Sequence, residues 1–413
     1  MGDLNMFSAP LSNVSSSSAK WIAYYPLTSL TTTSKTIEFV IRTNDQYVDF
    51  SNTICHLEGK FTKVAVKAEE GQNNKPWTCE NSLLTTCIER IDVTVNDVLV
   101  THSPFYYLTS HIYITMNANH VEQEYGLNGQ LWKPAKPGEA EVIDPLIDNQ
   151  KNRFDLVKDE ATVILSGPLY TPLTQARKYL PPNLTIRIQL TLSPPELCVL
   201  ENLDANDQHN FSITSARLEV RHITVPDRIR HFNEQKLLKE NFVFTLPNYD
   251  IIVRSIPQGS SQAVLDNLPP IFDRGYLTFT KTTALVGQRN QSPFVFGHNN
   301  IRKCVLFRGS DIYTYDSLDF DKMKFGNSYI EMQRCLASTH VPLSRNRYKS
   351  DFAVIPFCVT ACDPHLSLPG KQTGCTKILI DFSVATTDQI SAIVLINRPL
   401  IMEIDSKRRV TVH

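Results

Sequence analysis

Leu184, Ile186, Ile188, Leu190 and Leu192 alternate with Thr185, Arg187, Gln189 and Thr191, a period of two without a miss over nine residues. That pattern predicts a strand with one face packed and the other in water. Ala216, Leu218, Val220 and His222 repeat it against Arg217, Glu219 and Arg221. Ile37, Phe39 and Ile41 share a face, and Ile54 to Val66 reads as a longer strand. Ile91, Val93 and Val95 alternate with Asp92 and Thr94 up to Asn96-Asp97, where a second apolar run begins, so a hairpin is predicted there. After residue 240 the strand signals resume in NFVFTL, DIIVRSI, GYLTFTKTTALVG, RKCVLFRG, FAVIPFCVTA and TKILIDFSVA, separated by Pro, Gly, Asn and Asp. The chain closes on AIVLINRPLIMEIDSKRRVTVH, whose apolar, β-branched run predicts buried strands. The expectation is that Ile393 to Ile404 lie inside the second of two blocks and that EIDSKRR is an exposed corner.

Helical signals are few. Phe105, Leu108, Ile112 and Met116 fall at near-helical spacing behind Pro104. Residues 226–241 open with Pro-Asp and carry Ile229, Phe232 and Leu237, which predicts a short amphipathic connector. Phe325 to Thr339 is the remaining helical candidate. Residues 118–160 are polar and aperiodic, the mark of an exposed or functional loop. The plan is therefore two blocks of roughly eight strand signals each, joined near residues 226–240: a doubled β-sandwich without an internal sequence repeat.

Composition narrows the function classes. The formal net charge of the 413 residues is −1, so the chain lacks the basic excess that coating nucleic acid requires. Pro outnumbers Gly, 24 to 15, and helical Ala-rich or Glu/Lys-rich runs are scarce, which favours β structure. Residues 1–20 are Ser-rich and predict a flexible arm with Lys20 as its only basic residue. They show neither a basic n-region nor an apolar h-region, so no secretory signal is expected. No apolar run reaches the roughly 18 residues of a membrane span. Nine scattered cysteines are expected as free, mostly buried thiols.

Several stretches, in order, resemble one family. They are CIERIDVTVNDVLV, the segment LSGPLYTPLTQARKYLPPNLTIRIQLTLSPPELCVL, ITSARLEVRHITV, SPFVFGHNNIRKCVLFRGSDI with its Pro-Phe-x-Phe-x-His core, and SAIVLINRPLIMEIDSKRRVTV. The resemblance is to the double jelly-roll major capsid proteins of Polinton (Maverick) elements and adintovirus-like DNA viruses, of the adenovirus-hexon-like lineage. It touches most of residues 36–413 in patches and fails at 118–160 and 340–375. It implies an all-β fold of two consecutive eight-stranded antiparallel jelly rolls with a few short helices. The implied units are an arm at 1–20, a first roll at 21–228 and a second at 229–413. The implied function is structural: homotrimeric, pseudo-hexagonal capsomers tiling an icosahedral shell around double-stranded DNA. The implied partners are neighbouring capsomers, penton proteins and minor capsid proteins, without sequence-specific nucleic-acid binding. The implied location is the virion capsid, assembled inside the host cell. Neither an enzyme nor a cofactor is implied.

Site chemistry offers little against that reading. Cys358, Cys362, His365 and Cys375 form Cys-x3-Cys-x2-His-x9-Cys, a possible zinc set. The first two lie in a β-type run without a Cys-x2-Cys knuckle, so buried thiols are the expectation. His222 and His298 sit beside apolar runs and read as structural. SRNRYK and RHFNEQK read as solvated faces or contacts, and Asp319/Asp321 as a turn. No Gly-rich phosphate loop, G-x-S-x-G or His-Glu-x-x-His motif occurs. The competing classes are a carbohydrate-binding or carbohydrate-cleaving double sandwich, which would gather Trp21, Trp77 and Trp132 with carboxylates on one concave face, and a minor or penton capsid protein.

Overall fold

Strand β1 (Ser18–Tyr24) pairs along β10 (Asp207–Thr224), so the last three residues of the expected arm, Ser18 to Lys20, are strand. The computed structural model describes residues 18–31, 34–65, 76–140, 143, 148–158, 161–176, 178–202, 207–336, 341–359 and 375–413. Residues 1–17 of the expected arm lie outside these.

The first half continues with β2 (Thr36–Arg42), β3 (Tyr47–Ala65), β4 (Trp77–Cys79), α1 (Leu83–Thr86), β5 (Ile88–Val95), β6 (Val98–Ser103), α2 (Tyr106–Asn117), α3 (Asp148–Val157), β7 (Thr162–Pro168), β8 (Thr185–Leu192) and β9 (Val199–Glu201). Eight of these strands form two sheets, β1-β10-β3-β7 and β2-β8-β5-β6, and β4 pairs with β9 outside them. The alternating residues of β8 do as their pattern predicts: Ile186, Ile188 and Leu190 are buried between the sheets. The hairpin between β5 and β6 turns at Asn96 and Asp97, both with positive φ (46° and 64°). Two successive left-handed residues are what a tight two-residue hairpin needs, and Asn and Asp tolerate them. Gly59 allows the close pairing of β3 with β10. A Cβ there would lie 2.6 Å from the Phe211 ring and 2.7 Å from the Ser212 carbonyl oxygen.

The second half runs α4 (Asp227–Leu237), β11 (Phe242–Leu246), β12 (Tyr249–Ile256), β13 (Gln262–Leu268), β14 (Arg274–Lys281), α5 (Thr282–Leu285), β15 (Ile301–Arg308), β16 (Asp311–Tyr315), α6 (Gly326–Cys335), α7 (Arg345–Ser350), β17 (Ile355–Cys358), β18 (Thr376–Phe382), β19 (Ile390–Asn397), β20 (Leu400–Ile404) and β21 (Val410–Val412). Sheets β12-β19-β14-β17 and β13-β18-β15-β16 face each other. Counting each block's eight sandwich strands in chain order, both have sheet orders 1-8-3-6 and 2-7-4-5. The chain is a double jelly roll: two eight-stranded antiparallel rolls of the same topology in succession.

The closing segment divides between the rolls. β19, with Ile393 to Ile396 buried, is central in the second roll, as expected. β20 is not an inner strand of that roll. Arg398-Pro399 breaks the run, and β20 joins a separate sheet, β11-β20-β21. Phe244, Leu246, Met402, Ile404 and Val410 from this sheet belong to the first roll's core. The chain thus leaves the second roll and ends on the first.

The corner at 405–409 also differs from expectation. Lys407 is exposed, but Arg408 takes φ +62° and its side chain is largely covered. Its guanidinium donates to Glu234 Oε1 of α4 at 2.5 Å, and its carbonyl accepts from Asn96 Nδ2 at 2.7 Å. Helices at the α2, α4 and α6 positions agree with the periodicity. Unforeseen were α3 and a π turn at Glu122–Gly126 inside the 118–160 stretch, α5 at the end of a strand signal, and α7 in SRNRYKS, whose N-cap Ser344 accepts from the Arg347 amide.

Candidate functional site

The possible zinc set is not assembled among the described residues. Cys358 ends β17, Cys375 lies exposed before β18, and Cys362 and His365 lie outside the described residues. No group of three or more His, Cys, Asp or Glu among the described residues is placed to hold a metal ion. Cys358 instead meets Cys335 of α6, with sulfurs 2.8 Å apart.

The other sequence candidates are accounted for by local contacts. His222 Nε2 is 2.9 Å from the Tyr24 hydroxyl, and burial, then Lys20, holds its pKa down. His298 stacks on Phe320 and its Nδ1 accepts from the Asn300 amide. Asp319 caps a turn by accepting from the Lys322 amide, and that bond holds its carboxyl below the usual range. Asp321 lies 3.8 Å from Lys349 Nζ. In α7, Arg347 and Tyr348 are buried while Arg345 is exposed, so SRNRYK is only in part the solvated face expected. The three Trp lie apart: Trp21 half-exposed on β1, Trp77 on β4, and Trp132 fully buried in a small cluster with Ile114 and Leu127. Two open surface grooves, of about 750 Å³ beside Arg42 and Arg187 and about 740 Å³ beside Asp316 and Lys322, contain no Trp in their walls. The arrangement expected of a sugar site is therefore missing from both.

The concentrated chemistry lies where the two rolls meet. α2 is buried on nearly every side and divides its apolar residues: Tyr106 enters the first core, while Tyr107, Leu108, Ile112 and Met116 enter the second. Beside it, Arg289 from the second half reaches Glu201 of β9. Its guanidinium bonds Glu201 Oε1, the His209 carbonyl at 2.6 Å and Asn210 Oδ1 at 2.7 Å. The Arg289 carbonyl accepts from the Glu201 amide at 2.8 Å, and His209 Nδ1 is 3.1 Å from Glu201 Oε2. Trp77 stacks on the His209 ring with centroids 3.9 Å apart. A buried ion pair of this kind is costly to break, since one partner alone is left charged in a dry site.

A second cluster surrounds a cavity of about 30 Å³ lined by Glu80, His111, Arg153, Ser292, Arg347 and Asp351, among others. Glu80 Oε1 accepts from the Asn81 amide at 2.9 Å and from the Ser292 hydroxyl at 3.1 Å. Burial pushes its carboxyl up to about 7 against the lowering effect of those bonds and of Arg153. Burial holds His111 well below its ordinary range and brings Arg347 down to about 10. The cavity has room for about one or two waters, not for an organic substrate. Cys79 nearby is pushed up to about 12 by burial, so it offers no thiolate nucleophile. The chemistry of both clusters is cohesive: they bind first half to second. Sequence reading missed them because their members lie far apart in the chain, as Glu80 and Ser292 or Glu201 and Arg289 do.

No helix among the described residues is long and apolar enough to cross a membrane. No protein-family model matches the chain, and no curated protein matches it in sequence. Among solved structures, the fold is similar to a chain in the cryo-EM structure of the Sputnik virophage, with TM-score 0.63 and 9% identity over 100% of this chain and 91% of that one. It is similar to the crystal structure of the mavirus major capsid protein, with TM-score 0.60 and 10% identity over 100% and 93%. It is also similar to the PBCV-1 virus capsid, with TM-score 0.62 and 8% identity over 98% of both chains. At these identities the likeness is one of fold, the double jelly roll, over the whole length.

Proposed function

We propose that this chain is a viral major capsid protein that assembles as a homotrimer. The observation that carries the reading is the pair of rolls with identical sheet order in one chain, matched end to end by structures of viral capsid proteins. Three such chains supply six rolls, and closed cyclic symmetry is the simplest way to make one six-lobed tile from a single chain. Capsomers of this kind tile an icosahedral shell around double-stranded DNA. The net charge of −1 suits a wall that encloses a genome without neutralising it. The partners in this reading are neighbouring capsomers, penton proteins and minor capsid proteins, and the location is the virion. The lineage is that of the Polinton, Maverick and adintovirus-like elements.

The units are the arm, a first roll at 21–228 and a second at 229–413, joined by α4, with β11, β20 and β21 of the second unit lent to the first core. The arm acts between capsomers: removing residues 1–17 leaves the trimer intact and impairs shell formation. Light scattering together with negative-stain imaging of the purified full chain tests the proposal. Trimeric hexagonal plates are expected, and a monomer at micromolar concentration refutes it.

A further inference from the structure

Cys335 is the last residue of α6, and Cys358 is the last residue of β17, an edge strand of the second roll. The helix packs on that strand and brings the two sulfurs to 2.8 Å, closer than unbonded sulfurs ordinarily pack. Arg274 of β14 stands beside both. Its backbone is in register with Cys358, and its guanidinium donates to the Cys335 carbonyl at 3.2 Å. The hydrogen bond from Cys358 holds the Cys335 thiol below its ordinary range; burial opposes this and Arg274 assists it. The same bond, with burial, pushes Cys358 far up, so the proton of the pair resides on Cys358. The buried Cys55, Cys79, Cys87, Cys198 and Cys304 are all pushed up by burial, which makes them inert.

We propose that Cys335 and Cys358 form a reversible intrachain disulfide that ties the C-terminal end of α6 to the edge strand of the second roll. The oxidant class is a peroxide. The Cys335 thiolate attacks one oxygen of hydrogen peroxide, the O–O bond breaks, and hydroxide leaves, giving a sulfenic acid at Cys335. The Cys358 sulfur then attacks the Cys335 sulfur, the S–O bond breaks, and the departing hydroxide takes a proton to become water. Two thiols are oxidised and one peroxide is reduced to two waters. A dithiol reductant reverses the bond by exchange. The bond closes the segment that carries α7 and pins Val359, where residues 360–374 begin. When it would form rests on the capsid reading, in which the particle leaves a reducing cell interior for an oxidising exterior. Whether it forms does not.

The full-length protein is treated with hydrogen peroxide or with dithiothreitol, alkylated with N-ethylmaleimide under denaturing conditions, and mapped by peptide mass spectrometry. The expected result is one cross-linked peptide pair containing Cys335 and Cys358, two fewer alkylated thiols of the nine, and a higher melting temperature in the oxidised form. Cys335→Ser and Cys358→Ser should each abolish the cross-link and the melting shift. Alkylation of both residues after oxidation, or pairing of Cys358 with Cys362 or Cys375 instead, overturns the proposal. The mapping is read on the wild-type chain whether it is trimeric or monomeric, so a failed capsid reading and a failed disulfide give different results.

Discussion

Glu80→Gln separates the cost of a buried charge from that of a buried hydrogen-bonding group. The Glu80 side chain is fully enclosed, and its carboxyl stands at about 7 against an ordinary 4.5. A folded value above the unfolded one means that the proton favours the folded state. The stability this group contributes is present in full below pH 4.5 and is lost as pH rises through 7. The difference corresponds to about 3 kcal/mol at alkaline pH. Glutamine keeps an oxygen that can accept from the Asn81 amide and the Ser292 hydroxyl, and it carries no charge at any pH. The groups facing it are Arg153 of α3, His111 of α2, Arg347 and Asp351 at α7, and Glu139. The variant should match wild type at about pH 4 and be more stable by about 3 kcal/mol at about pH 8.5. In melting temperature that is about 6–12 °C for a unit of this size. Thermal melts of both proteins across that range decide it. A variant less stable than wild type at the alkaline end would mean that Arg153 compensates the ionised carboxylate, and would refute the reasoning.

Three further outcomes follow from packing. Ile393→Asp places an unpaired carboxylate at a fully buried position of β19 and should cost several kcal/mol, leaving the chain insoluble or unable to trimerise; soluble trimeric variant would sink the strand's placement. Arg289→Met leaves Glu201 buried without its guanidinium and should cost about 3–5 kcal/mol in denaturant unfolding, part of which the added Glu201→Gln change restores. Lys407→Ser should stay within about 0.5 kcal/mol of wild type, whereas Arg408→Ser, which loses the contact with Glu234, should exceed that, as read from parallel thermal melts.

Strand content was legible because alternation is a local property. β8, β10, the β5–β6 hairpin and β19 each show their buried face in a few residues. Elements whose partners are distant were less legible. α2 showed its helical spacing in Phe105, Leu108, Ile112 and Met116, but with ten of its twelve residues buried the sequence did not show that it serves two cores. α3 was hidden because it is mostly polar and makes few core contacts. β20 read as part of the second roll because sequence shows that Met402 and Ile404 are buried but not against which core. The Cys335–Cys358 pair and the Glu201–Arg289 clamp join residues far apart in the chain, and spacing within one sequence does not encode such meetings. Arg408 looked exposed because charge suggests solvent, yet a left-handed turn folds it onto α4.

The two rolls share a sheet order and no visible sequence repeat. Alternation at the right intervals is enough to specify such a sandwich, so the residues filling each core are free to differ. What is not symmetric lies between the rolls. α2 divides its apolar side chains over both cores, Arg289 reaches back to Glu201, and the chain end returns through β20 and β21 to the first core. Each device belongs to one roll and spends its contacts on the other. Two independent sandwiches on a flexible linker would need none of them. A six-lobed tile made from three chains needs each chain to hold its two lobes at one separation and one angle, because an error there is repeated threefold around the ring. Loosening the junction by Arg289→Met should therefore damage trimer geometry before it unfolds either roll. Negative-stain plates with irregular outlines from protein of unchanged strand content are the expected sign; regular plates from a loosened junction would show that trimer contacts alone fix the geometry.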